Sequence, residues 1–428
     1  MLPPGPDAHP LLQTVAFHRD PLGALKRARS RYGAVFSLKL AIAGPLVVVA
    51  EPGELERLLE ADPECAHAGE ARRRILPMAS PLSIFGGDEQ QHHHARQSIA
   101  PAFAPEAVDD RRPGMAGIAD AHVRQWPRGR PFRLLPRMRA LLDDVFVRLV
   151  LGVREDRRAS ALADAIGKML WTPGNPPLPI PGEGDGALGA AATAFFERRH
   201  RPVARLLVEE IETRSGDREE TSDAIASALA RGDGDSPQEL AEKLTVVLMA
   251  AQEPPAAALT WLLGRFSSEP EYAERFAADP GSPLAEATVR ESLRLRPPAI
   301  GALRRLTSAM CLGGHDLPAG TVTMIPIPLV QRDPRLFPAP NRFRPERWTS
   351  GPANQTGYLP FGGGARRCVG EHLASSYIDT VVPTILRSLR MRAVWPREER
   401  AVLRGTILVP HRSGLMLAGR YSAGTGSR

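Results

Sequence analysis

One segment near the carboxyl end combines a glycine-rich turn, an arginine and an isolated cysteine: Phe361-Gly-Gly-Gly-Ala-Arg-Arg-Cys368-Val-Gly370. A cysteine that ligates a metal acts as its thiolate and has to be held in a fixed position. Flanking glycines allow the backbone to approach a flat bound group and leave amide N–H groups to point at the sulfur. Arg366 can reach an anionic group at the edge of that bound group. The segment therefore predicts that Cys368 is a metal ligand; the alternative is a buried cysteine in an ordinary loop.

The same segment resembles the haem-binding loop of the cytochromes P450, in which five residues recur at fixed spacing. All five are present here, as Phe361, Gly364, Arg366, Cys368 and Gly370. The resemblance implies that the cofactor is haem b (iron protoporphyrin IX), that Cys368 is the axial ligand of its iron, and that the other four residues bind the cofactor. It extends over nearly the whole chain, from Pro3 to the segment around 407–417.

Basic residues that could hold the carboxylates of a cofactor occur in the run His92–Arg96 and at Arg304. His92 and Arg96 are four residues apart, so they share one face of a helix and can both donate hydrogen bonds to a carboxylate. The resemblance implies that His92, Arg96, Arg304 and Arg366 bind the haem propionates, although the adjacent Arg305 leaves the register open by one residue. A metal site made of the three consecutive histidines is less favoured, because consecutive helical residues point in different directions.

A predicted structural cluster joins two distant segments. Glu291 and Arg294 are one helical turn apart and share a face, and Phe343-Arg-Pro-Glu-Arg347-Trp follows about fifty residues later. Together these segments resemble the Glu-x-x-Arg helix of the cytochromes P450 and the downstream arginine that completes a buried cluster. The resemblance therefore implies a structural role for Glu291, Arg294 and Arg347.

The clearest departure from the family lies in the expected central helix, at Ala250-Ala251-Gln252-Glu253-Pro254-Pro255. Family members place an acid and then a hydroxyl residue here, over the oxygen-binding face of the haem. The acid is present as Glu253, the candidate for proton delivery, but Pro254 has no hydroxyl to donate. The two prolines also remove the helical hydrogen bonds to the carbonyls of Ala250 and Ala251. We therefore expect a kink and two acceptors that could bind water or substrate.

Three reactions remain open for such a site. In the favoured one, substrate or ordered water replaces the missing proton relay, and the enzyme hydroxylates or epoxidises its substrate as a monooxygenase. In the second, peroxide drives the reaction without activation of O2. In the third, the reaction ends in oxidative coupling or cyclisation. A haem-based sensor or carrier is the non-enzymatic alternative, and it would not consume NAD(P)H with a surrogate ferredoxin system.

The elements that have to position these residues are mostly helical. Helical periodicity dominates from about Met115 to Arg294, and strand-like runs occur at 35–38, 46–49 and 321–327. We expect a mainly α fold with minor β, the cytochrome P450 prism around haem b, as a single domain over residues 1–428. The proline-rich stretch 172–181 cannot be helical and predicts a loop before a helix that begins near Ala187.

Composition limits the remaining functions. Three widely spaced cysteines, Cys65, Cys311 and Cys368, argue against a disulfide framework and for a reducing compartment. The net charge of +7 is carried almost wholly by arginine, without the clustered aromatics and basic runs of single-strand nucleic-acid binders. No apolar run is long enough for a membrane span, and no signal peptide is evident near Met1. The expected protein is cytoplasmic, bacterial and monomeric, and binds neither membrane nor nucleic acid.

The expected partners are a small organic substrate and, as electron donors, a ferredoxin with its reductase, because the chain holds no flavin or iron–sulfur module. An exposed basic patch would suit an acidic protein partner. By resemblance, the substrate contacts are Met78, Leu82, Phe85, Val247, Ile300, Leu303 and Leu408. Their apolar character indicates a ligand that is hydrophobic over much of its surface, and the family analogy suggests a tailoring step in bacterial secondary metabolism.

Overall fold

The computed structural model describes residues 2–41, 44–61, 63–75, 80–170, 187–214, 223–225, 234–349, 356–395 and 397–420. Helices dominate these residues, and the strands are short. The proline-rich stretch 172–181 and Met78 lie outside the described residues. The helix expected near Ala187 begins at that residue.

Fifteen α-helices are labelled here within the described residues. They are α1 (Pro10–Arg19), α2 (Pro21–Tyr32), α3 (Pro52–Glu60), α4 (Ala68–Arg73), α5 (Glu89–Ile99), α6 (Pro105–Asp109), α7 (Arg112–Arg124), α8 (Leu134–Val145), α9 (Asp156–Leu170), α10 (Ala187–Arg214), α11 (Pro237–Ser268), α12 (Pro270–Ala278), α13 (Pro283–Leu295), α14 (Ile327–Val330) and α15 (Glu371–Ser388). A π-helical turn, Phe146–Val150, extends α8.

Twelve short strands form small sheets in the described part of the chain. They are β1 (Val35–Leu40), β2 (Gly44–Val49), β3 (Ala66–His67), β4 (Phe132–Arg133), β5 (Ala302–Leu306), β6 (Met310–Leu312), β7 (His315–Leu317), β8 (Val322–Ile325), β9 (Leu389–Ala393), β10 (Ala401–Arg404), β11 (Ile407–Pro410) and β12 (Leu415–Arg420). The largest sheet has the order β1-β2-β8-β5-β3, and β4-β12-β9, β6-β7 and β10-β11 are smaller. β1 and β2 pair antiparallel, with Val35 opposite Val49.

Helix α11 is the central element of the fold. It begins with a capping box in which the Ser236 N–H donates to Glu239 Oε2 at 2.8 Å and the Glu239 N–H donates to Ser236 Oγ at 3.3 Å. It packs against α8, α10, α12, α13, α15, β9 and β11. Among the described residues it is the one helix long and apolar enough to cross a membrane, but 61% of its most apolar window is buried inside the protein. That burial is what a core helix of this length would show.

The two prolines of α11 do not end the helix. Pro254 and Pro255 lie inside a continuous α-helix of 32 residues. Each proline lacks a backbone N–H, so the helical hydrogen bonds to the carbonyls of Ala250 and Ala251 are missing in the interior of the helix. Packing on many sides holds α11 together across this gap.

Three larger hydrophobic clusters surround the centre of the molecule. One, the largest, joins α5, α7, α8, α9, α11 and α15, a second joins α2 to the sheets around β1 and β10, and a third packs α3 against the largest sheet. The segment 361–370 lies between these clusters. Its turn Gly364–Arg366 packs on α3, and α15 begins directly after the segment.

Candidate cofactor and active site

A cavity of about 270 Å³ lies between α11 and the segment 361–370. Cys368 lies in its wall, and α11 contributes Ala250, Ala251 and Pro254. Most of the other lining side chains are apolar, and α5, β5 and α15 close the remaining sides. The cavity therefore combines one thiol with largely apolar walls.

The loop before Cys368 is fixed by its own backbone and by contact with α3. The Cys368 N–H donates to the Phe361 carbonyl at 3.0 Å, which closes the turn. Gly364 has a φ of +61°, and a Cβ there would lie 2.4 Å from the carbonyl oxygen of Leu59. Gly364 is thus required by a left-handed backbone and by close packing on α3, in addition to any contact with a bound group.

Local hydrogen bonds and charges act on the Cys368 thiol. Cys368 is exposed to the cavity, but the many protein atoms around it still desolvate the thiol and raise its pKa, and the Gly370 backbone N–H, which hydrogen bonds to the sulfur, opposes this effect. The nearby charge of Glu371 raises the pKa further, whereas the guanidinium groups of Arg96 and Arg367 lower it. The net shift is upward, so a positively charged partner such as a metal ion would be needed to hold this cysteine as a thiolate at neutral pH.

Cationic or ionisable basic side chains from two elements, α5 and β5, reach the same cavity. His92 and Arg96 of α5 and Arg304 of β5 all line it. Arg304 is only 1% exposed and donates through Nη1 to the Leu303 carbonyl at 2.9 Å, whereas Arg305 forms an ion pair with Glu70. Of the two adjacent arginines that the sequence left open, Arg304 and not Arg305 therefore lines the cavity.

Arg366 also lines the cavity, but it has two protein acceptors. Its Nη1 donates to the Gly87 carbonyl and its Nη2 to Asp88 Oδ1, both at 2.8 Å. Asp88 in turn accepts hydrogen bonds from the backbone N–H groups of Gly69 at 2.6 Å and Glu70 at 2.8 Å. Arg366 thus ties the cysteine loop to the start of α4 and α5. Sequence reasoning did not identify Asp88 as its partner.

These residues fit a haem group. Cys368 offers the sulfur ligand, the apolar walls suit a porphyrin, and His92, Arg96 and Arg304 provide donors for carboxylates. A guanidinium as deeply buried as that of Arg304 calls for carbonyl or carboxylate acceptors, and the Leu303 carbonyl engages its Nη1. Among the described residues no group of three or more His, Cys, Asp or Glu is arranged to hold a metal ion.

The face of α11 that lines this cavity carries no acid and no hydroxyl. Ala250, Ala251, Pro254 and Pro255 line it, whereas Glu253 does not. Successive helical residues are rotated by about 100°, so Glu253 lies on the opposite side of α11 from Ala251 and Pro255. There its Oε2 accepts a hydrogen bond from Arg139 Nη2 of α8 at 2.5 Å. Glu253, the candidate for proton delivery, therefore lies on the α8 side of α11 and outside the wall of the Cys368 cavity.

The predicted structural cluster is assembled in the interior. Glu291 accepts two hydrogen bonds of 2.8 Å from Arg294, and Arg347 Nε lies 3.1 Å from the same carboxylate. The Trp348 indole N–H and the Arg344 backbone N–H also donate to Glu291, at 3.0 and 2.9 Å. Burial alone would raise the pKa of Glu291, but hydrogen bonds and the charge of Arg294 bring it below its usual range.

The expected substrate contacts are only partly at the cavity. Phe85 and Val247 line it. The other described candidates, Leu82, Ile300, Leu303 and Leu408, do not. Successive side chains of a strand point to opposite faces, so Leu303 points away from the cavity that its neighbours Ala302 and Arg304 line. It packs against the second hydrophobic cluster, which also contains Ile300 and Leu408. Leu82 is 40% exposed at the surface.

Sequence reasoning missed two charged residues at this cavity, Arg367, which directly precedes Cys368, and Arg72. Arg72 of α4 lines it, and its guanidinium lies 4.8 Å from the ring centroid of Phe85. No motif in the sequence pointed to Arg72, which lies in a run of three arginines, Arg72 to Arg74. Only the pairing of β3 with β5 shows that α4, which follows β3 directly, begins beside Arg304.

Comparison with known families gives a match over almost the whole chain. A family model described as Cytochrome P450 matches residues 3–417. The chain is 31% identical to the putative cytochrome P450 135B1 of Mycobacterium tuberculosis, over 96% of this chain and 90% of that protein. It is 30% identical to the putative cytochrome P450 135A1 of the same species, over 96% of this chain and 93% of that protein.

Solved structures share the fold. The retinoic acid-bound cyanobacterial CYP120A1 superposes with a TM-score of 0.83 at 21% identity, over 98% of this chain and 99% of that one. A mutant of P450 EryK in complex with erythromycin B superposes with a TM-score of 0.73 at 21% identity, over 99% of this chain and all of that one. The mainly α architecture with minor β predicted from the sequence is thereby confirmed.

Proposed function

The chain belongs to the cytochrome P450 family of haem-thiolate monooxygenases, and from this we propose that it hydroxylates or epoxidises a small, largely hydrophobic organic molecule in a tailoring step of bacterial secondary metabolism. The observation that carries this proposal is the apolar cavity with Cys368 in one wall and the hydroxyl-free face of α11 in another. A ligand in such a cavity is held mainly by burial of apolar surface.

Haem b is the cofactor of this family, and the residues of this cavity suit it. Cys368 would ligate the iron. The propionates would be held by His92, Arg96 and Arg304, with Arg366 at the edge of the haem. The loop residues that would contact the haem are Phe361, Gly364 and Gly370. When bound through a cysteine, haem supplies the oxidising chemistry that uses O2, two electrons and two protons to insert one oxygen atom into the substrate. The protein has to bind and orient the substrate, exclude bulk water and supply the protons.

Proton supply is the step for which this chain departs from its family. The wall formed by Ala250, Ala251, Pro254 and Pro255 has no side-chain donor. The carbonyls of Ala250 and Ala251 lack their helical N–H partners and can accept hydrogen bonds from ordered water or from a hydroxyl of the substrate. We propose that such water or substrate groups take the place of the usual alcohol and that Glu253 feeds them from the other side of α11.

A peroxide-driven reaction, or an oxidative coupling, is the second candidate, and Pro254 is the observation that favours it. A cavity wall without a hydroxyl is less suited to steady O2 and to deliver protons to it. Glu253 would repel a carboxylate substrate if it lay in this wall, but it is paired with Arg139 behind α11 and presents no such obstacle.

The wider context follows from the same family membership. Bacterial cytochromes P450 generally receive electrons from a ferredoxin and its reductase, and we propose the same donors for this chain. Arg367, within the Cys368 loop, has a side chain that is 60% exposed and forms two hydrogen bonds of 2.7 Å with Glu371, and its exposed charge suits an acidic partner. We further propose a single-domain, monomeric, cytoplasmic enzyme without a membrane or nucleic-acid partner.

The experiment that tests the proposed function is a panel of small hydrophobic compounds analysed by product mass. One arm contains a surrogate ferredoxin, its reductase, NADPH and O2, and the other contains peroxide alone. The expected result is a product that gains one oxygen atom and that requires electrons. Products formed equally well from peroxide alone, or products that lose two hydrogens without gaining oxygen, would favour the second candidate.

Restoring a hydroxyl at position 254 is expected to raise the yield of product per electron consumed. Pro254→Thr returns both a backbone N–H and a side-chain donor, whereas Pro254→Ala returns only the N–H and is the matched control. We expect Pro254→Thr to exceed both Pro254→Ala and the natural protein in this coupling ratio, with haem content unchanged. The measurement is product formed per NADPH oxidised. Equal coupling in all three proteins would show that position 254 takes no part in proton delivery.

A further inference from the structure

A second cavity, of about 620 Å³, lies on the other side of α11. Gln252 and Glu253 of α11 and Arg139 and Asp143 of α8 line its inner end, and α9 and α10 contribute to its walls. Since Ala250, Ala251, Pro254 and Pro255 line the Cys368 cavity, α11 is the partition between the two cavities. We call this second cavity the polar chamber.

The inner end of the polar chamber holds buried polar atoms that have no hydrogen-bond partner among the described residues. They are Arg139 Nε and Nη1, Asp143 Oδ1, Gln252 Nε2 and Glu253 Oε1. Arg139, Asp143 and Gln252 are each more than nine-tenths buried. A concentration of unsatisfied donors and acceptors around one cavity requires a polar occupant, because leaving such groups unpaired is costly.

Water fits this occupancy by size and by chemistry. At about 30 Å³ per molecule, the polar chamber has room for on the order of twenty waters. Its inner end offers both donors (Arg139 Nε and Nη1, Gln252 Nε2) and acceptors (Asp143 Oδ1, Glu253 Oε1), and water can bond to both kinds of group. Gly167 of α9 lies next to Asp143: a Cβ added at Gly167 would be 3.8 Å from Asp143 Oδ2. Because glycine has no side chain, Gly167 leaves this side of the Asp143 carboxyl open to water.

Asp143 keeps its proton more firmly than an ordinary carboxyl does. Burial raises its pKa well above the usual range, the charge of Glu253 adds to the rise, and Arg139 opposes it. The other charged or titratable groups around the chamber are His122 of α7, Asp144 and Arg148 of α8, Asp164 and Lys168 of α9, and Arg199 of α10. Asp143 contributes to the raised pKa of Tyr377 of α15, which is due mainly to burial. Arg139 and Glu253 act in opposite directions on the pKa of Arg404 of β10, which burial lowers.

We propose that Asp143 supplies protons to Glu253 through water held in the polar chamber, and that this chamber is the proton source for the Cys368 cavity. A proton leaves the Asp143 carboxyl and passes through water to Glu253 Oε1. The Asp143 carboxylate then regains a proton from bulk solvent, relayed through chamber water past Asp164 and Lys168, so that no charge is left on the water. From Glu253 the proton passes to water at the carbonyls of Ala250 and Ala251. Arg139 is a positioning residue that holds Glu253 toward the chamber. This inference rests on the proposed function, in which each turnover consumes two protons.

Asp143→Asn tests the proposal, because it keeps the size of the side chain and removes its proton. We expect product formation to fall about a hundredfold, in the range typical for loss of a general acid, with haem content and substrate KM unchanged. The solvent isotope effect on turnover should rise, and the pH profile should lose the step that Asp143 contributes. Asp7→Asn, the same change at an exposed position of the amino-terminal segment, is the matched control and should behave as the natural protein.

A spectroscopic readout makes the test independent of product formation. Infrared titration of the haem-loaded protein should show a protonated carboxyl band near neutral pH that is lost in Asp143→Asn and retained in Asp7→Asn. Reductase-driven O2 consumption without substrate should slow in the same variant. If no compound of the panel is oxygenated, the proposed function fails while these two readouts still decide the role of Asp143. Natural turnover, O2 consumption and pH profile in Asp143→Asn, or an unchanged carboxyl band, would overturn the proposal.

Discussion

Replacing Cys368 by serine is expected to abolish the thiolate-type carbonyl spectrum of the reduced protein and to eliminate oxygen insertion. Among the described residues that line the cavity, Cys368 is the one with a sulfur ligand, and a serine hydroxyl at the same place is a far weaker donor to iron. The backbone hydrogen bond from Cys368 to the Phe361 carbonyl does not depend on the side chain, so the loop should keep its shape. The measurement is the carbonyl difference spectrum together with haem content.

The other two cysteines provide matched controls for this prediction. Cys311 is exposed and Cys65 is partly buried, and neither lines the cavity. Cys311→Ser and Cys65→Ser should leave the carbonyl spectrum as in the natural protein. A thiolate-type spectrum that survives Cys368→Ser, or that is lost in one of the controls, would contradict the assignment of Cys368 as ligand.

Replacing Glu291 by glutamine is expected to lower the free energy of unfolding by about 3–5 kcal/mol, because it breaks a buried ion-pair cluster from one side. The change leaves the Arg294 and Arg347 guanidinium groups in the interior without the carboxylate that binds both. Haem incorporation should fall as a consequence, since α13 and the segment around Trp348 would lose their connection. Urea unfolding and the ratio of haem to protein measure these two effects.

Glu286→Gln is the control for Glu291→Gln, because Glu286 lies on the same helix with its side chain 71% exposed and only a long ion pair to Arg290. Its effect on the free energy of unfolding should stay within about 0.5 kcal/mol.

The dependence of the free energy of unfolding on pH gives a second check of the Glu291→Gln prediction. The pKa of Glu291 is lowered on folding, so its stabilisation is present above its unfolded pKa of about 4.3 and is lost as the pH falls through its lower folded pKa. Glu291→Gln should lack this acid-side loss, and a free energy of unfolding within 1 kcal/mol of the natural protein would contradict the prediction.

Some of the site could be predicted from sequence because its residues act through local spacing. The cysteine loop closes through a hydrogen bond between residues seven apart in the chain, and Glu291 and Arg294 meet because they are one helical turn apart. Their long-range partner Arg347 was identified only through a resemblance to a known family. The choice between Arg304 and Arg305 required the strand register.

Other features depend on packing that sequence does not specify. The direction of Glu253 depends on how α11 is rotated against α8, because Arg139 lies 114 residues away in the chain. Leu303 was expected at the cavity, but the two-residue alternation of β5 gives that place to Ala302 and Arg304. Asp88 accepts a hydrogen bond from Arg366 because α4 and α5 pack against the cysteine loop. No local sequence pattern predicts this contact.

The most direct test of the central claim is turnover under isotopically labelled O2. The natural protein, a surrogate ferredoxin system and a compound selected by the panel are incubated under ¹⁸O2, and the product mass is measured. One labelled oxygen atom is expected to enter each product molecule, and Cys368→Ser is expected to give no such product. Oxygen that derives from water or added peroxide, or a product without added oxygen, would contradict the account of this chain as an O2-dependent monooxygenase.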